Sequence, residues 1–181
     1  MIKKKIEEKI GIPNKIKVEI DKNTIVVSSE NFSIKKKINP LINVNIKNNE
    51  IILSAKNTTK KEKKNIGAYN AHIKNMIKGL KEPYNYVLKI CSGHFPMNVS
   101  VSNDEFIVKN FLGEKTPRVL KLKKKVKVKV EGDQVIVESA DKELAGQTAA
   151  AIEKLCKITN RDPRIFQDGI WIISKAGKIV K

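Results

Sequence analysis

The chain has 181 residues, of which 40% are apolar, 5% are aromatic and 31% are charged. This apolar fraction excludes a wholly disordered chain, and the absence of any run of about 18 apolar residues excludes a transmembrane helix. The 37 lysine and arginine residues outnumber the 19 acidic residues and give a formal net charge of +18, so we expect a polyanionic partner.

The chain begins with a basic, amphipathic stretch. Residues 3–12 predict a short lead-in helix, which Gly11 and Pro13 would end. The stretch lacks the long apolar core of a secretory signal, so we expect a cytoplasmic protein. Cytoplasmic thiols stay reduced, and Cys91 and Cys156 are 65 positions apart, so we interpret them as buried free thiols and not as a disulfide or metal site.

Two predicted hairpins occur twice. Residues 18–27 return as 99–108, with apolar and turn positions in register, and residues 44–53 return as 128–137. A helical stretch follows each second hairpin. The pattern predicts an α+β fold made by tandem duplication, in which each copy is a small antiparallel β-sheet packed on one α-helix.

Helix signals fix the boundary between the copies. Thr59 and Glu62 form a capping box ahead of an apolar helical face, and Asp141 can cap the second helix. Glu82 and Pro83 end the first helical pattern. We therefore predict two domains, 1–82 and 83–181, the second holding the basic loops and tail.

Patterns for catalysis are weak. The Cys91-Ser-Gly-His94 stretch places a thiol near an imidazole, but a catalytic pair needs contact and an orienting third group, so we interpret it as coincidence. No pair of carboxylates has metal-ligand spacing, and no glycine-rich phosphate loop follows a strand. The sequence predicts no catalytic residue, metal, cofactor or small-molecule substrate.

The second copy contains a basic segment between residues 115 and 129, where no acidic residue occurs. Its cations are Lys115, Arg118, Lys121, Lys123, Lys124, Lys125, Lys127 and Lys129. The last three alternate with valines, so they should stand on one face of a strand. A solvated surface is the alternative, but repulsion between eight like charges favours polyanion binding.

Arginine occurs only at positions 118, 161 and 164, all in segments that the first copy lacks. A guanidinium grips phosphate bidentately and stacks on bases, so these positions predict contacts of higher specificity than lysine gives. The alternative for Arg164 is an ion pair with Asp162 or Asp168. We interpret Phe166 and Trp171 as core residues in preference to base-stacking platforms.

Several motifs carry a resemblance to a known family. They are Gly93-His-Phe-Pro-Met-Asn-Val-Ser-Val101, Asn110-Phe-Leu-Gly-Glu-Lys-Thr-Pro-Arg118, Gly146-Gln-Thr-Ala-Ala150 and Arg164-Ile-Phe-Gln-Asp-Gly-Ile170. Over its full length the chain resembles the large-subunit ribosomal protein family called L-six, in its archaeal and eukaryotic branch. Trp171 departs from the usual Tyr or Phe and removes any role for a hydroxyl there.

The resemblance implies a non-catalytic ribosomal protein that is a monomer within the ribosome. It also implies contacts with neighbouring large-subunit proteins and no membrane partner. It implies binding to large-subunit rRNA near the sarcin-ricin loop and the stalk base, chiefly through the loops 113–118 and 161–169 of the second domain. The candidate rRNA-binding residues are Lys115, Arg118, Lys121, Lys123, Lys124, Lys125, Arg161, Arg164, Phe166, Asp168, Gly169 and Lys175. The alternatives are an RNA-binding regulator that acts off the ribosome and an enzyme that acts on RNA.

Overall fold

A computed structural model describes residues 6–29, 32–55, 59–162 and 164–180. The chain divides between Glu82 and Pro83 into two compact units, called here the first and the second unit. Both contain antiparallel sheets and one α-helix, which confirms the predicted α+β class. Each unit, however, splits its strands between two sheets.

The first unit forms two three-stranded sheets, in the orders β2-β3-β4 and β1-β6-β5. Its elements are β1 (Ile6–Gly11), β2 (Lys17–Asp21), β3 (Thr24–Ser28), β4 (Ser33–Lys37), β5 (Asn43–Lys47), β6 (Glu50–Ala55) and α1 (Lys60–Lys81). Asn48 and Asn49 both have positive φ, at 49° and 62°, which is the conformation of a two-residue hairpin turn. Ile51 and Leu53 of β6 are fully buried, as the apolar alternation requires.

Helix α1 begins with the predicted capping box. The Thr59 N–H donates to Glu62 Oε2 over 2.9 Å, and the Glu62 N–H donates to the Thr59 hydroxyl. Ile66 and Ile73 are buried one above the other on the helix face that covers the sheets. Neither α1 nor the second described helix has the length and apolarity that a membrane span needs.

The second unit repeats this plan and adds to it. Its sheets have the orders β10-β9-β8 and β11-β12-β7-β13-β14. The elements are β7 (Tyr84–Cys91), β8 (Asn98–Ser102), β9 (Glu105–Lys109), a 3-10 turn (Phe111–Gly113), β10 (Arg118–Lys121), β11 (Lys127–Glu131), β12 (Gln134–Ser139), α2 (Lys142–Leu155), β13 (Gly169–Lys175) and β14 (Lys178–Ile179). Within the described part of the chain, the 3-10 turn, β13 and β14 have no equivalent in the first unit.

The predicted N-terminal helix is wrong over the described residues. Residues 6–11 form strand β1, which pairs antiparallel with β6, while residues 3–5 lie outside the described ranges. Ile6 and Ile10 are four positions apart, a spacing that fits a helix turn and two steps of a strand equally well. The backbone groups offered by β6 decide between these two interpretations.

Candidate nucleic-acid interface

Strand β11 carries a row of cations on one face. Lys127 and Lys129 are exposed, while Val128 and Val130, which alternate with them, are half-buried. This alternation confirms the predicted outward orientation of Lys127 and Lys129, because successive side chains of a strand point to opposite faces. Lys125 was predicted on the same strand face, but it lies in the turn before β11. The lysines therefore stand outward as a group.

The link from β10 to β11 continues the basic row. Lys121, Lys123, Lys124 and Lys125 are all exposed. Lys123 Nζ donates to Gln147 Oε1 of α2 over 2.7 Å, which places this link beside the helix. Together with Lys127 and Lys129, these four lysines make six exposed charges close together, which favour an anionic partner because they repel one another without one.

Arg118 is held within the second unit. Its Nε and Nη2 donate to the two carboxylate oxygens of Glu114 over 2.8 and 2.5 Å, and Nη1 donates to the Leu155 carbonyl over 2.7 Å. The guanidinium carbon also lies 4.2 Å from the Phe111 ring centre. The hydrogen bonds raise the pKa of Arg118 and lower that of Glu114, so the pair stays ionised. Arg118 thus ties the 110–117 loop to the end of α2.

Arg161 and His94 both stack on Phe166. The Arg161 guanidinium carbon lies 4.6 Å from the ring centre, and the His94 ring lies 4.6 Å away at an interplanar angle of 21°. Phe166 is half-buried, so it is not a core residue, and it already has two stacking partners within the chain. Arg161 itself is exposed, with its orientation set by the ring beneath it.

The Asp168 carboxylate fastens this stack to the neighbouring loop. Oδ1 accepts from the backbone N–H groups of Gly93 and His94 over 2.7 and 3.0 Å, and Oδ2 lies 2.6 Å from His94 Nδ1. Asp168 is only 2% exposed. Burial raises the pKa of its carboxyl, but the hydrogen bonds from His94 and Gly93 outweigh burial and hold the pKa below the usual range.

Gly169 and Trp171 shape the start of β13. Gly169 has φ +153°, and a Cβ there would lie 3.3 Å from the indole ring of Trp171. Trp171 is 44% exposed, so its assignment to the core is wrong. The indole N–H donates to the Gln167 carbonyl over 3.1 Å, which braces the 161–168 loop against the strand.

Residues 93–96 join the two loops that were predicted to face RNA. His94 contacts Asp168 and Phe166, as described above. Phe95 packs against Gly113, and the Pro96 carbonyl accepts from Asn110 Nδ2 over 3.0 Å. Loops 92–97, 110–117 and 161–168 therefore form one surface, called here the three-loop surface. The sequence did not predict that residues 93–96 connect the other two loops, because contacts between loops leave no periodic pattern of apolar residues.

Arg164, Lys115 and Phe95 are exposed on the three-loop surface. The backbone N–H of Arg164 donates to Asp162 Oδ1, but its guanidinium makes no ion pair with any described residue. The ion pair considered for Arg164 with Asp162 or Asp168 is thus not formed by the described side chains. Lys175 is also exposed, but it lies six residues along β13 from Gly169, about 20 Å away.

A shallow cavity of about 360 Å³ opens beside the three-loop surface, between residues 91–94 and 165–168. The Cys91 thiol and the His94 imidazole both line it, but the imidazole pairs with Asp168. Across the described residues, no group of three His, Cys, Asp or Glu side chains could hold a metal ion.

Comparison with known proteins extends over both units. The family model for Ribosomal protein L6 matches residues 12–82 and 95–169. The Large ribosomal subunit protein uL6 of Methanococcus vannielii is 43% identical over 176 residues, covering 97% of each chain. The uL6 protein of Methanobrevibacter smithii is 40% identical over 171 residues, which are 94% of this chain and 96% of the relative. That of Nanoarchaeum equitans is 41% identical over 182 aligned positions, covering 96% and 95%.

Proposed function

We propose, because this chain belongs to the Ribosomal protein L6 family, that it is built into the large ribosomal subunit and binds large-subunit rRNA through its second unit. The family consists of structural proteins and not enzymes, so the alternative of an enzyme acting on RNA is set aside.

The observation that carries the proposal is the exposure of Arg161, Arg164 and Lys115 on loops that internal bonds hold in place. Folded RNA presents phosphates and 2′-hydroxyls across a shallow minor groove, while its major groove is too narrow for side chains to read. Cations fixed at set positions can match one arrangement of phosphates and reject others. The exposed Phe95 ring offers a stacking surface for an unpaired base.

Other candidate residues position this surface instead of contacting RNA. The Asp168 carboxylate is buried and the Arg118 guanidinium is used within the chain, so both hold loops. Gly169 is buried where β13 begins. Lys121, Lys123, Lys124, Lys125 and the β11 lysines supply charge next to the loops, and Lys175 supplies it at the far end of β13.

Two substitutions separate specific contact from general attraction. Arg164→Ala should weaken binding to an rRNA fragment that contains the sarcin-ricin loop and the stalk base more than binding to an unrelated folded RNA. Lys124→Ala should weaken both equally and reduce the salt slope of binding by about 1. Equal losses on both RNAs for both variants, measured by filter binding between 50 and 200 mM salt, would remove Arg164 from the site.

The proposed location is the large subunit near the sarcin-ricin loop and the stalk base, in the cytoplasm, beside neighbouring ribosomal proteins and as a single copy. The family resemblance supports this location, and the basic three-loop surface provides a means of attachment. The competing function is an RNA-binding regulator that acts off the ribosome. Sedimentation of large subunits in high salt separates the two, because a regulator would be washed off and an integral component would stay.

A further inference from the structure

Strand β1 has an open edge in the described part of the first unit. It pairs with β6 on one side, and the sheet order β1-β6-β5 places it last. The Ile12 N–H donates to the Asn49 carbonyl, so Ile10 and Ile12 direct their backbone groups toward β6. Alternation along an antiparallel ladder then turns the N–H groups of Lys9 and Gly11 to the open edge.

The second unit shows what occupies the equivalent edge. Ile10 lies opposite Ile51 of β6, and Leu88 of β7 lies opposite Val135, which is the repeat of Ile51. Strand β1 is therefore the equivalent of β7. The outer edge of β7 is paired antiparallel with β13, the strand that the first unit lacks in its described residues.

A groove lies where the missing strand would run. It has a volume of about 350 Å³ and is lined by residues 9–11 of β1 and by Lys74, Ile77, Lys78 and Lys81 of α1. Ile77 is buried at the groove floor, and the three helix lysines are exposed along its rim. No acidic residue lines it, so the groove combines an apolar floor with a positively charged border.

A buried polar atom of α1, one helical turn before Lys74 of the groove, points to the same occupant. In the second unit, Glu153 of α2 accepts a hydrogen bond from the Ile172 N–H of β13 over 3.2 Å. The repeat of Glu153 is Asn70, because Ala149 and Ile152 correspond to Ile66 and Tyr69. Asn70 donates through Nδ2 to Glu8, while its Oδ1 is buried without a hydrogen-bond partner among the described residues. Such an unpaired acceptor is unfavourable unless a donor is supplied.

We propose that β1 binds an extended, acidic segment of a partner protein as an added antiparallel strand, in the position that β13 occupies beside β7. Backbone bonds to Lys9 and Gly11 would give the strand its register. Successive side chains of a strand point to opposite faces of the sheet, so every second side chain would face α1, where an apolar residue would cover Ile77 and carboxylates before and after it would pair with the helix lysines. An RNA strand fits less well, because the floor is apolar and the open edge offers peptide groups. The inference does not depend on the rRNA contacts of the second unit.

The test uses the full chain and a fluorescein-labelled ten-residue peptide in which every second residue is threonine and the residues between are glutamate and valine in turn, so that glutamate and valine share one strand face. We expect saturable binding by fluorescence anisotropy, and slower amide hydrogen exchange at Lys9 and Gly11 when the peptide is present. Lys78→Glu with Lys81→Glu should weaken binding about tenfold or more, because like charges replace complementary ones. The matched variant Lys60→Glu with Lys64→Glu makes the same charge change on the same helix outside the groove, and it should bind as the parent chain does.

Three results would overturn the proposal. One is equal binding of a peptide with the same composition in which glutamate and valine no longer share one strand face. Another is unchanged exchange at Lys9 and Gly11 despite binding, which would show an attraction of charges without strand pairing. The third is equal loss of affinity in the two charge variants. If the second unit did not bind rRNA, all three peptide measurements would be unaffected. Failure of the proposed function can therefore be distinguished from failure of this proposal.

Discussion

At the residue scale, the buried Asp168 carboxylate determines how two loops of the second unit meet. It accepts from Gly93 and His94 while only 2% of it is exposed to solvent. A buried charge is costly unless hydrogen bonds replace its water. Here the three contacts do so, which is why the lowered pKa and the burial occur together. The cations on the three-loop surface therefore depend on a residue that is itself buried.

We predict that Asp168→Asn lowers the free energy of unfolding at pH 7 by about 1.5–3 kcal/mol, the range for hydrogen bonds to a charged group. Because the folded-state pKa is lowered, the contribution is complete above the ordinary pKa of about 3.9 and is lost as the pH falls through the folded-state value. Urea titrations should therefore show a large difference in unfolding free energy between parent and variant at pH 7. This difference should be smaller at pH 2.5. A difference of equal size at both pH values would contradict this account. Asp162→Asn, which alters an exposed carboxylate, is the control.

We predict that Gly169→Ala destabilises the chain by about 1–3 kcal/mol. The φ of +153° disfavours any side chain, and the new Cβ would lie 3.3 Å from the Trp171 indole. Gly67 in α1 is the matched control, since a Cβ there meets no atom within 4 Å. Alanine in a helix interior is favoured over glycine by about 0.5–1 kcal/mol, so Gly67→Ala should raise the melting temperature while Gly169→Ala lowers it. Shifts of the same sign would contradict the prediction.

At the scale of elements, apolar alternation and turn residues predicted the hairpins correctly. The 44–53 hairpin turns at Asn48 and Asn49, both at positive φ, and asparagine tolerates that conformation locally. Strand β1 could not be predicted in the same way, because its identity depends on pairing with β6, some 40 residues later. The capping box at Thr59 was readable since both partners lie within four residues.

The three arginines show a similar limit. Arg161 and Arg164 lie in an unrepeated segment, but the prediction that Arg118 does so is wrong, because Arg118 begins β10, the equivalent of β4. The sequence also could not say which guanidinium is available. Arg118 contacts Glu114, Leu155 and Phe111, and the Leu155 contact spans 37 residues. No local pattern reports such a contact. The candidate surface was therefore predictable as a set of segments and not as a division into contacting and positioning residues.

Arg118 links one loop, one strand and the end of α2, and its replacement tests that link. Arg118→Lys keeps the charge but loses the two-fold contact with Glu114 and the bond to the Leu155 carbonyl. We predict a loss of about 1–2 kcal/mol in unfolding free energy and weaker binding to the rRNA fragment, with an unchanged salt slope. Arg164→Lys, at an exposed arginine, should leave stability unaltered. A salt slope that falls in Arg118→Lys would instead make Arg118 a phosphate contact.

At the scale of the whole molecule, duplication supplied two similar units that carry charge differently. Residues 1–82 contain 19 basic and 8 acidic residues, a net charge of +11, and residues 83–181 contain 18 and 11, a net charge of +7. The second unit is thus less basic, although the proposed interface lies on it. Net charge strengthens attraction to any nucleic acid, but the placement of cations on fixed loops selects one RNA surface.

Two variants of identical net charge separate the effect of overall charge from the effect of cation placement. The first variant changes Lys121, Lys123 and Lys124 to glutamine. The second variant changes Lys60, Lys61 and Lys64 to glutamine. Each variant lowers the net charge by three, and all six lysines are exposed. If phosphates contact the second unit, the first variant should lose most of its affinity for the rRNA fragment, and the slope of log K against log salt should become shallower by about 2–3. The second variant should retain nearly the parent slope, since long-range attraction falls off within a Debye length of about 8 Å at physiological salt. Equal slopes in the two variants would mean that overall charge, and not the second unit, determines how the protein binds RNA.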